Sequence, residues 1–575
     1  MSSAQPDRPL PSTRVLWFTV LAVAVLYVWG IDNLYMPSNG DEMVYAHIAR
    51  LTAASGQWLP LVSDLNDMRN TKPPLLFWQS MVVSGWGHHW HLWLLRLPSL
   101  VYLVGVCLGM SMLLHRWSGE WRTAAWAVLC LLLSWGTFRY GRPYLTTAPE
   151  MFWFSLAPAW VLWRAAHSST RGIHASASEW LAWTVLGLLT GLGLAYKSFA
   201  LIAPLAAATW AMRLVLQPQW SWRDAVTCTA QTAWWAVLSV GVFALWLWLD
   251  PQPQEVWREF VQHENAGKLG AGQSYLSVLF SVKGSGDYLA APLLNTGLLF
   301  PWVAALMLVG WRHARAHGLA WRGGFPMALW TWIAVWCLVF LIPSQRSSRY
   351  LLPLMPAVAM LLALHAETFP AWVTRSTAWL SAIALAVLSW LAWHAHSIGV
   401  LPTAWALGVA GAGVVVVVVC VALWRSAVNP IHGLWSAALF FFGFNALMQG
   451  MSMARVGFEG NRSERPVADT VWVVEGFNGE FERLQFLLPG RNHFVPQQSK
   501  INALSEGTDR TSGTWFIVPR VLNAPPLACE TLQTCERMAV RWDIEQRLKP
   551  GQVHAGNWTR PGEWLWRQEW LMRVR

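Results

Sequence analysis

Asp41 and Glu42 stand in the run Asn39-Gly40-Asp41-Glu42-Met43-Val44-Tyr45-Ala46, directly after a long apolar segment. A carboxylate at such an exit can act as a general base and take a proton from a hydroxyl. An Asp that follows Gly and opens a helical run is also a good N-cap, and taken alone these residues favour the cap. Lys72 lies in Thr71-Lys72-Pro73-Pro74-Leu75. The prolines hold the chain extended and can open a helix at its first turn, presenting the lysine rigidly. That suits a contact to a phosphate; a snorkelling interfacial lysine is the alternative. Lys197, in Gly193-Leu194-Ala195-Tyr196-Lys197-Ser198-Phe199, falls in a short turn between two apolar segments. Few structural needs place a lysine there, and phosphate binding outranks snorkelling. Arg346 and Arg349 precede a helix entry in Ser347-Ser348-Arg349-Tyr350-Leu351-Leu352-Pro353, where guanidiniums and free helix N–H groups can hold an anion. Arg258, His263 and Glu264 form a looser group. His beside a carboxylate can bind a metal, but a surface helix accounts for this pair better.

The elements that must position these residues follow from composition. The chain has 575 residues, 55% hydrophobic and only 12% charged, with a mean hydropathy of +0.34. Soluble domains carry about 25% charged residues, so a soluble enzyme is excluded. Intrinsic disorder is excluded as well, because disordered chains are poor in aromatic and aliphatic residues. Residues 1–450 hold 25 Lys and Arg against 16 Asp and Glu, whereas residues 451–575 hold 16 against 14. The first part reads as a transmembrane domain and the second as a soluble α/β domain. In the second, Val471–Val474 and Trp515–Pro519 have strand character and Glu480–Leu488 that of a short helix. Thirteen segments approach the ~20 apolar residues that a crossing needs, near residues 14–31, 92–114, 122–138, 150–166, 179–196, 198–215, 229–249, 290–310, 325–343, 350–366, 376–394, 403–424 and 432–450. The first lacks a small-x-small cleavage site and is read as a retained helix.

With the N-terminus inside, thirteen crossings put residues 451–575 outside, together with two long loops at about 32–91 and 250–289. Inside loops then carry 13 basic residues and outside segments 11, a small bias in the usual direction. The net charge of +11 is concentrated in the membrane part, where it reads as orientation signal plus anion site rather than as a nucleic-acid surface. Glu42–Ala54 and Pro74–Gly85 fit helices lying on the membrane surface. Most of the 44 tryptophans fit an interfacial aromatic belt. No Walker loop, GxGxxG after a strand, or HExxH is present. Of seven cysteines, Cys529 and Cys535 alone fall in the soluble part, and if that domain is periplasmic they are candidates for a disulfide.

Taken in order, these motifs resemble one family. Asp41-Glu42-x-x-Tyr45-Ala46, Lys72-Pro73-Pro74-Leu75 with Trp78, Arg96-x-Pro98-Ser99, Gly191-x-Gly193 through Lys197-x-Phe199, Tyr288 to Pro301-Trp302, and Arg346 to Tyr350-Leu351-Leu352-Pro353 with Pro356-Ala357 are similar to the GT-C membrane glycosyltransferases. Within these the resemblance is to lipid A aminoarabinose transferases and to polyprenyl-phosphate mannosyltransferase-like proteins. The resemblance implies a mainly α, polytopic helical fold of about thirteen spans with a small C-terminal periplasmic domain. It implies a bacterial inner-membrane enzyme that moves a sugar from a polyprenyl-phosphate carrier to a lipid A, glycan or protein acceptor by inverting displacement. In that scheme Asp41 activates or orients the acceptor, Lys72, Lys197 and Arg349 bind the carrier phosphate, Tyr45 and Tyr350 line the donor site, and Arg142 joins them. No cofactor is implied with certainty, and a divalent metal stays open because metal dependence varies across the superfamily.

The chain departs from that pattern at three places. His47 stands where the aminoarabinose branch favours Glu, Arg346 replaces a Lys, and Thr147, with Glu150 nearby, replaces an Asp. A flippase of a lipid-linked sugar is the competing class. It is disfavoured by the lack of paired halves.

Overall fold

The computed structural model describes residues 10–34, 41–65, 68–166, 176–217, 219, 221–266, 282–317, 324–342, 346–425, 428–454, 459–460, 470–476, 478–488, 493–544 and 565–575. Asn39 and Gly40, which precede Asp41, and residues 267–281 of the second long loop lie outside this set, while every candidate site residue lies within it. The N-terminal half runs through α1 (Thr13–Val28), α2 (Asp41–Ala54), α3 (Leu75–Val83), α4 (Leu92–Ser118), α5 (Trp121–Leu132), α6 (Trp135–Gly141), α7 (Thr147–Ala165), α8 (Ala177–Leu194), α9 (Ile202–Val215) and α10 (Trp222–Leu249).

All thirteen apolar segments fall on helical structure, but only eight helices among the described residues are long and apolar enough to cross a membrane. They are α4, α8, α10, Ala291–Ala316, Ser348–His365, Ala371–Ser397, Thr403–Leu423 and Ile431–Met451. Four further apolar helices are shorter, at Thr13–Val28, Trp121–Leu132, Phe199–Val215 and Phe325–Val339. At ~1.5 Å per residue, a helix the length of α1 reaches about 24 Å against a hydrocarbon layer of about 30 Å. The expected span 122–138 is interrupted because Ser134 takes extended backbone (φ −77°, ψ 126°) and α6 starts afresh after it. The remaining expected span is α7, whose 19 residues include Glu150 and Arg164.

Large apolar side chains on these helices face outward, among them Phe18, Val101, Val237 and Trp248, as a lipid-facing surface requires. The tryptophans are not all interfacial. Trp126, Trp183, Trp235, Trp302, Trp332 and Trp336 are fully buried. Two glycine contacts set the end of α8. A Cβ on Gly191 would lie 2.5 Å from Val242 Cβ and 2.9 Å from the Ser239 carbonyl of α10. One on Gly193 would lie 2.6 Å from Trp153 Cβ of α7. Small residues let helix backbones approach in this way, and they press the turn after α8 against the start of α7.

The expected surface helix Glu42–Ala54 is instead enclosed. Glu42 through Ala49 of α2 are all buried, because helices and loops cover one side and the C-terminal domain covers the other. That domain is a six-stranded sheet in the order β1-β5-β6-β4-β2-β3, built from β1 (Glu459–Gly460), β2 (Thr470–Val473), β3 (His493–Pro496), β4 (Trp515–Val521), β5 (Cys535–Ile544) and β6 (Trp566–Val574). β2 pairs parallel with β3 and β4, while β6 runs antiparallel between β4 and β5. Strands at Val471 and Trp515 and a 3₁₀ stretch at Asn478–Phe486 match the elements read from the sequence.

Cys529 and Cys535 are joined in a disulfide with a Cα–Cα distance of 5.3 Å. It ties the short helix Ala528–Thr531 to the start of β5. Closing so short a loop stabilises the domain by about 2 kcal/mol in the chain-entropy account. Thiol labelling of the denatured protein should therefore gain two reactive groups on reduction, and Cys529→Ser should lower the melting temperature. Equal labelling with and without reductant would refute the bond.

Candidate active site

Three cations of the sequence reading converge around α2, and each has a carboxylate and an aromatic ring. Arg349 donates from both Nη atoms to Asp41 Oδ2 at 3.4 and 3.3 Å and lies 5.2 Å from the centre of the Tyr140 ring. Lys197 Nζ donates to Glu150 Oε2 at 2.9 Å and lies 5.3 Å over the Tyr350 ring. Lys72 Nζ is 4.0 Å from Glu264 Oε2, lies 5.7 Å over the Tyr45 ring and donates to the Thr71 carbonyl. Ring faces attract cations, so each head group is held on two sides. Tyr45 is the shared centre. Burial raises its phenol pKa well above the ordinary value, and Asp41, Glu264 and Glu150 push it up further while Arg349 pulls it down. All four charges therefore act on one buried ring.

Each cation sits on backbone that other residues fasten. The Arg349 stretch is pinned by Asp287, which accepts from Ser348 N at 2.7 Å and Ser348 Oγ at 3.2 Å, and by Asn295, whose Nδ2 donates to the Ser348 carbonyl. The Lys72 loop is held by Glu259, which accepts from Asn70 Nδ2 and N, and by the Arg69–Glu255 ion pair at 2.8 Å. The Lys197 turn follows the glycine contacts of α8, and Ser198 Oγ donates to Asn265 at 2.6 Å. Asn265 adjoins Glu264, so the π-helical stretch Trp257–Asn265 links the Lys72 loop to the Lys197 turn.

Several expected ligands have other work. Glu42, paired with Asp41 as a catalytic candidate, is fully buried and forms a two-point pair with Arg96 at 2.6 and 2.8 Å. It also accepts from Tyr144 N. Neighbouring helix residues diverge by about 100°, so Asp41 faces Arg349 while Glu42 faces the interior. Arg142 is buried, donates to Asn445 Oδ1 and the Trp29 carbonyl, and stacks on Phe138; it braces helices rather than lining the site. Arg346 donates to the Leu341 carbonyl at 2.9 Å and is 7% exposed. Arg258 meets its neighbour Glu259 at 3.9 Å with its side chain more than half exposed, and His263 is exposed. The stretch that carries them contributes Glu259 and Glu264 to the site instead. Among the described residues no group of three His, Cys, Asp or Glu could hold a metal ion. From sequence Glu150 stood out only as a neighbour of Thr147, and Tyr140 did not stand out at all. Glu150 Oε1 is buried without a hydrogen-bond partner, which leaves an acceptor beside Lys197.

Asp41 and Arg349 keep about a third of their side chains exposed, at 35% and 30%. Asp41 is thus an accessible base beside a cation that can orient it, and Lys72, Lys197 and Arg349 together can neutralise an anion that enters among them.

The helical body with its small C-terminal sheet domain defines a polytopic membrane protein of the ArnT-like fold. It superposes on crystal structures of ArnT from Cupriavidus metallidurans. The one bound to undecaprenyl phosphate gives a TM-score of 0.59 at 17% identity, covering 97% of this chain and 98% of that one. The apo form gives 0.60 at 16% identity with the same coverage. In sequence the chain is similar to undecaprenyl phosphate-alpha-4-amino-4-deoxy-L-arabinose arabinosyl transferase 1 of Sodalis glossinidius, 27% identical over 365 residues, 61% of this chain and 59% of that protein. The corresponding transferase of Edwardsiella ictaluri is 28% identical over 369 residues, 60% of this chain and 58% of the relative. The matched region thus spans less than two thirds of these relatives. No family model matches the chain.

Proposed function

We propose that the protein transfers a sugar from a polyprenyl-phosphate carrier to an acceptor hydroxyl at the periplasmic face of the bacterial inner membrane. The observation that carries this reading is that Lys72, Arg349 and Asp41 act on Tyr45, with Lys197 joined to the same group through Glu150 and the Tyr350 ring. The donor class comes from the relatives named above, which makes undecaprenyl-phosphate aminoarabinose the first donor to try and lipid A the first acceptor. Glycan and protein acceptors fit the same chemistry.

The reaction is a direct displacement at the anomeric carbon. Asp41 takes the acceptor proton as the acceptor oxygen bonds to that carbon, and the bond to the carrier phosphate breaks. The leaving phosphate carries away the bond's electron pair, and the three cations stabilise its growing charge. Attack from the face opposite the phosphate inverts the configuration. Tyr350 lies beneath Lys197 at the edge of the donor site, and buried Tyr45 supports Lys72 from below.

Purified protein in lipid bilayers should convert this donor and acceptor to the glycosylated product, read by mass spectrometry. Lys197→Ala should lower turnover about 10²- to 10³-fold, the usual loss for one preorganised charge donor. Movement of labelled carrier lipid across the bilayer without any product would favour a flippase and defeat the assignment.

A further inference from the structure

A second charged cluster joins α2 to the sheet domain, and its central pair, His47 and Glu482, is buried. Glu482, on the 3₁₀ stretch Asn478–Phe486, is fully buried. It accepts from Arg50 Nε at 2.6 Å and Nη2 at 2.9 Å, and it meets His47 Nδ1 at 2.7 Å. The other ring nitrogen of His47 faces Asp64 Oδ1 at 2.5 Å. Ionised carboxylates accept and do not donate, so an imidazole with both nitrogens on carboxylates must carry both protons. The cluster then balances two cations against two anions.

The domain backbone lies directly on α2 here. A Cβ on Gly479 would come within 3.3 Å of Val44 Cα and 3.6 Å of His47 Cβ. The Phe481 ring meets the His47 ring edge-on at 5.1 Å, and Phe486 stacks on Trp90 at 6.5 Å. His47 and Arg50 stand six and nine residues after Asp41 on one unbroken helix, which is about 9 and 14 Å along its axis. A helix gripped there cannot tilt or turn without moving its first residue.

We propose that Glu482 is a positioning residue for Asp41: by gripping α2 from the sheet domain, it fixes where that carboxylate stands against Arg349. The inference rests on the transfer reaction proposed above. It makes the C-terminal domain part of the catalytic scaffold rather than an appendage.

The groups facing His47 are Glu482 from the 3₁₀ stretch, Asp64 from the α2–α3 connection, and Arg50 of α2 through Glu482. His493 of β3 acts in turn on Asp64. Burial lowers the imidazole pKa, yet its hydrogen bonds to Asp64 and Glu482 outweigh that and raise it to about 9. A group whose folded pKa is raised contributes fully below its free value, near ~6.5, and is lost as pH rises through the folded one. The clamp is therefore at full strength below about pH 6.5 and is lost as pH rises through about 9.

The test compares full-length wild type, Glu482→Gln and Glu482→Asp in lipid bilayers. Turnover, KM for undecaprenyl-phosphate aminoarabinose and the pH profile are measured beside hydrogen exchange of the α2 amides. In Glu482→Gln we expect kcat to fall about 10- to 100-fold, the scale of a misplaced reacting group. KM should stay within about twofold, because Lys72, Lys197 and Arg349 are untouched. The alkaline limb should move acidward, towards the ordinary histidine range, and the α2 amides should exchange faster. Glu482→Asp should recover part of each. A wild-type chain that transfers, beside a Glu482→Gln chain with the same kcat per folded molecule and the same alkaline limb, overturns the positioning role alone. A wild-type chain that transfers nothing from any prenyl-phosphate sugar overturns the reaction and this inference with it.

Discussion

Asp41→Asn should lower single-turnover sugar transfer about 10²- to 10⁴-fold while leaving the affinity for the prenyl-phosphate donor nearly unchanged. The asparagine keeps the size of the side chain and can still accept a hydrogen bond from Arg349, so α2 and the Arg349 stretch stay in place. It cannot take the acceptor proton. Arg349 meanwhile loses a charged partner at 3.3–3.4 Å and becomes freer to meet phosphate, so donor binding should not weaken. The partial exposure of both side chains, 35% and 30%, keeps the structural cost small. An exposed ion pair of this kind is worth about 1 kcal/mol or less. The measurement is transfer of labelled sugar by enzyme preloaded with donor, beside a direct donor-binding assay. A rate within tenfold of wild type would remove Asp41 from the proton-transfer role. A loss of donor binding matching the loss of rate would recast it as a binding residue.

The fold was legible in the sequence where cost is local. Apolar runs marked the helices, and the shift in charge density near residue 450 anticipated the helix Ile431–Ala454 giving way to a sheet. Asp41, Lys72, Lys197 and Arg349 stood out because ionisable groups beside apolar spans are expensive and need a reason. Lys72 lies over the Tyr45 ring and Asp41 and Arg349 act on it, while Lys197 is linked to it only through Glu150. What could not be read is which charge meets which. Glu150 looks like an ordinary acidic residue complementing the dipole in the first turn of a helix, and nothing local reveals that Lys197 reaches it. Arg142 and Arg346 drew notice for the same reason as Lys197, yet Arg142 donates to the Trp29 carbonyl and to Asn445, 303 residues further on, and Arg346 donates to the Leu341 carbonyl. His47 and Glu482 are 435 residues apart. Such pairings depend on how two domains pack, and no window of sequence contains both halves. The count of thirteen spans is not confirmed among the described residues, where eight apolar helices are long enough to cross and four are shorter; hydropathy does not register helix length or the break at Ser134.

Glu42→Gln should destabilise the protein by about 3–5 kcal/mol, the usual cost of stranding one member of a buried ion pair. Both side chains of the Glu42–Arg96 pair are fully buried. Arg96 spans three structures at once, donating to Glu42, to the Ile31 carbonyl and to the Asn33 carbonyl. Glu42 returns this by accepting from the Tyr144 backbone. The pair thus ties the end of the α1 segment, the first turn of α2, helix α4 and the bend before α7 into one knot beneath the site. Glutamine retains one acceptor oxygen but puts an amide against the guanidinium, so it replaces an attraction with a donor–donor conflict and leaves a buried positive charge. Loss of stability should dominate. The melting temperature in detergent should fall markedly, and the folded fraction at low temperature should still bind donor. Activity per folded molecule should fall far less than in Asp41→Asn, since Glu42 has no exposed surface from which to reach an acceptor. An unchanged melting temperature with transfer abolished would reverse the assignment and return Glu42 to the catalytic pair suggested by its place beside Asp41.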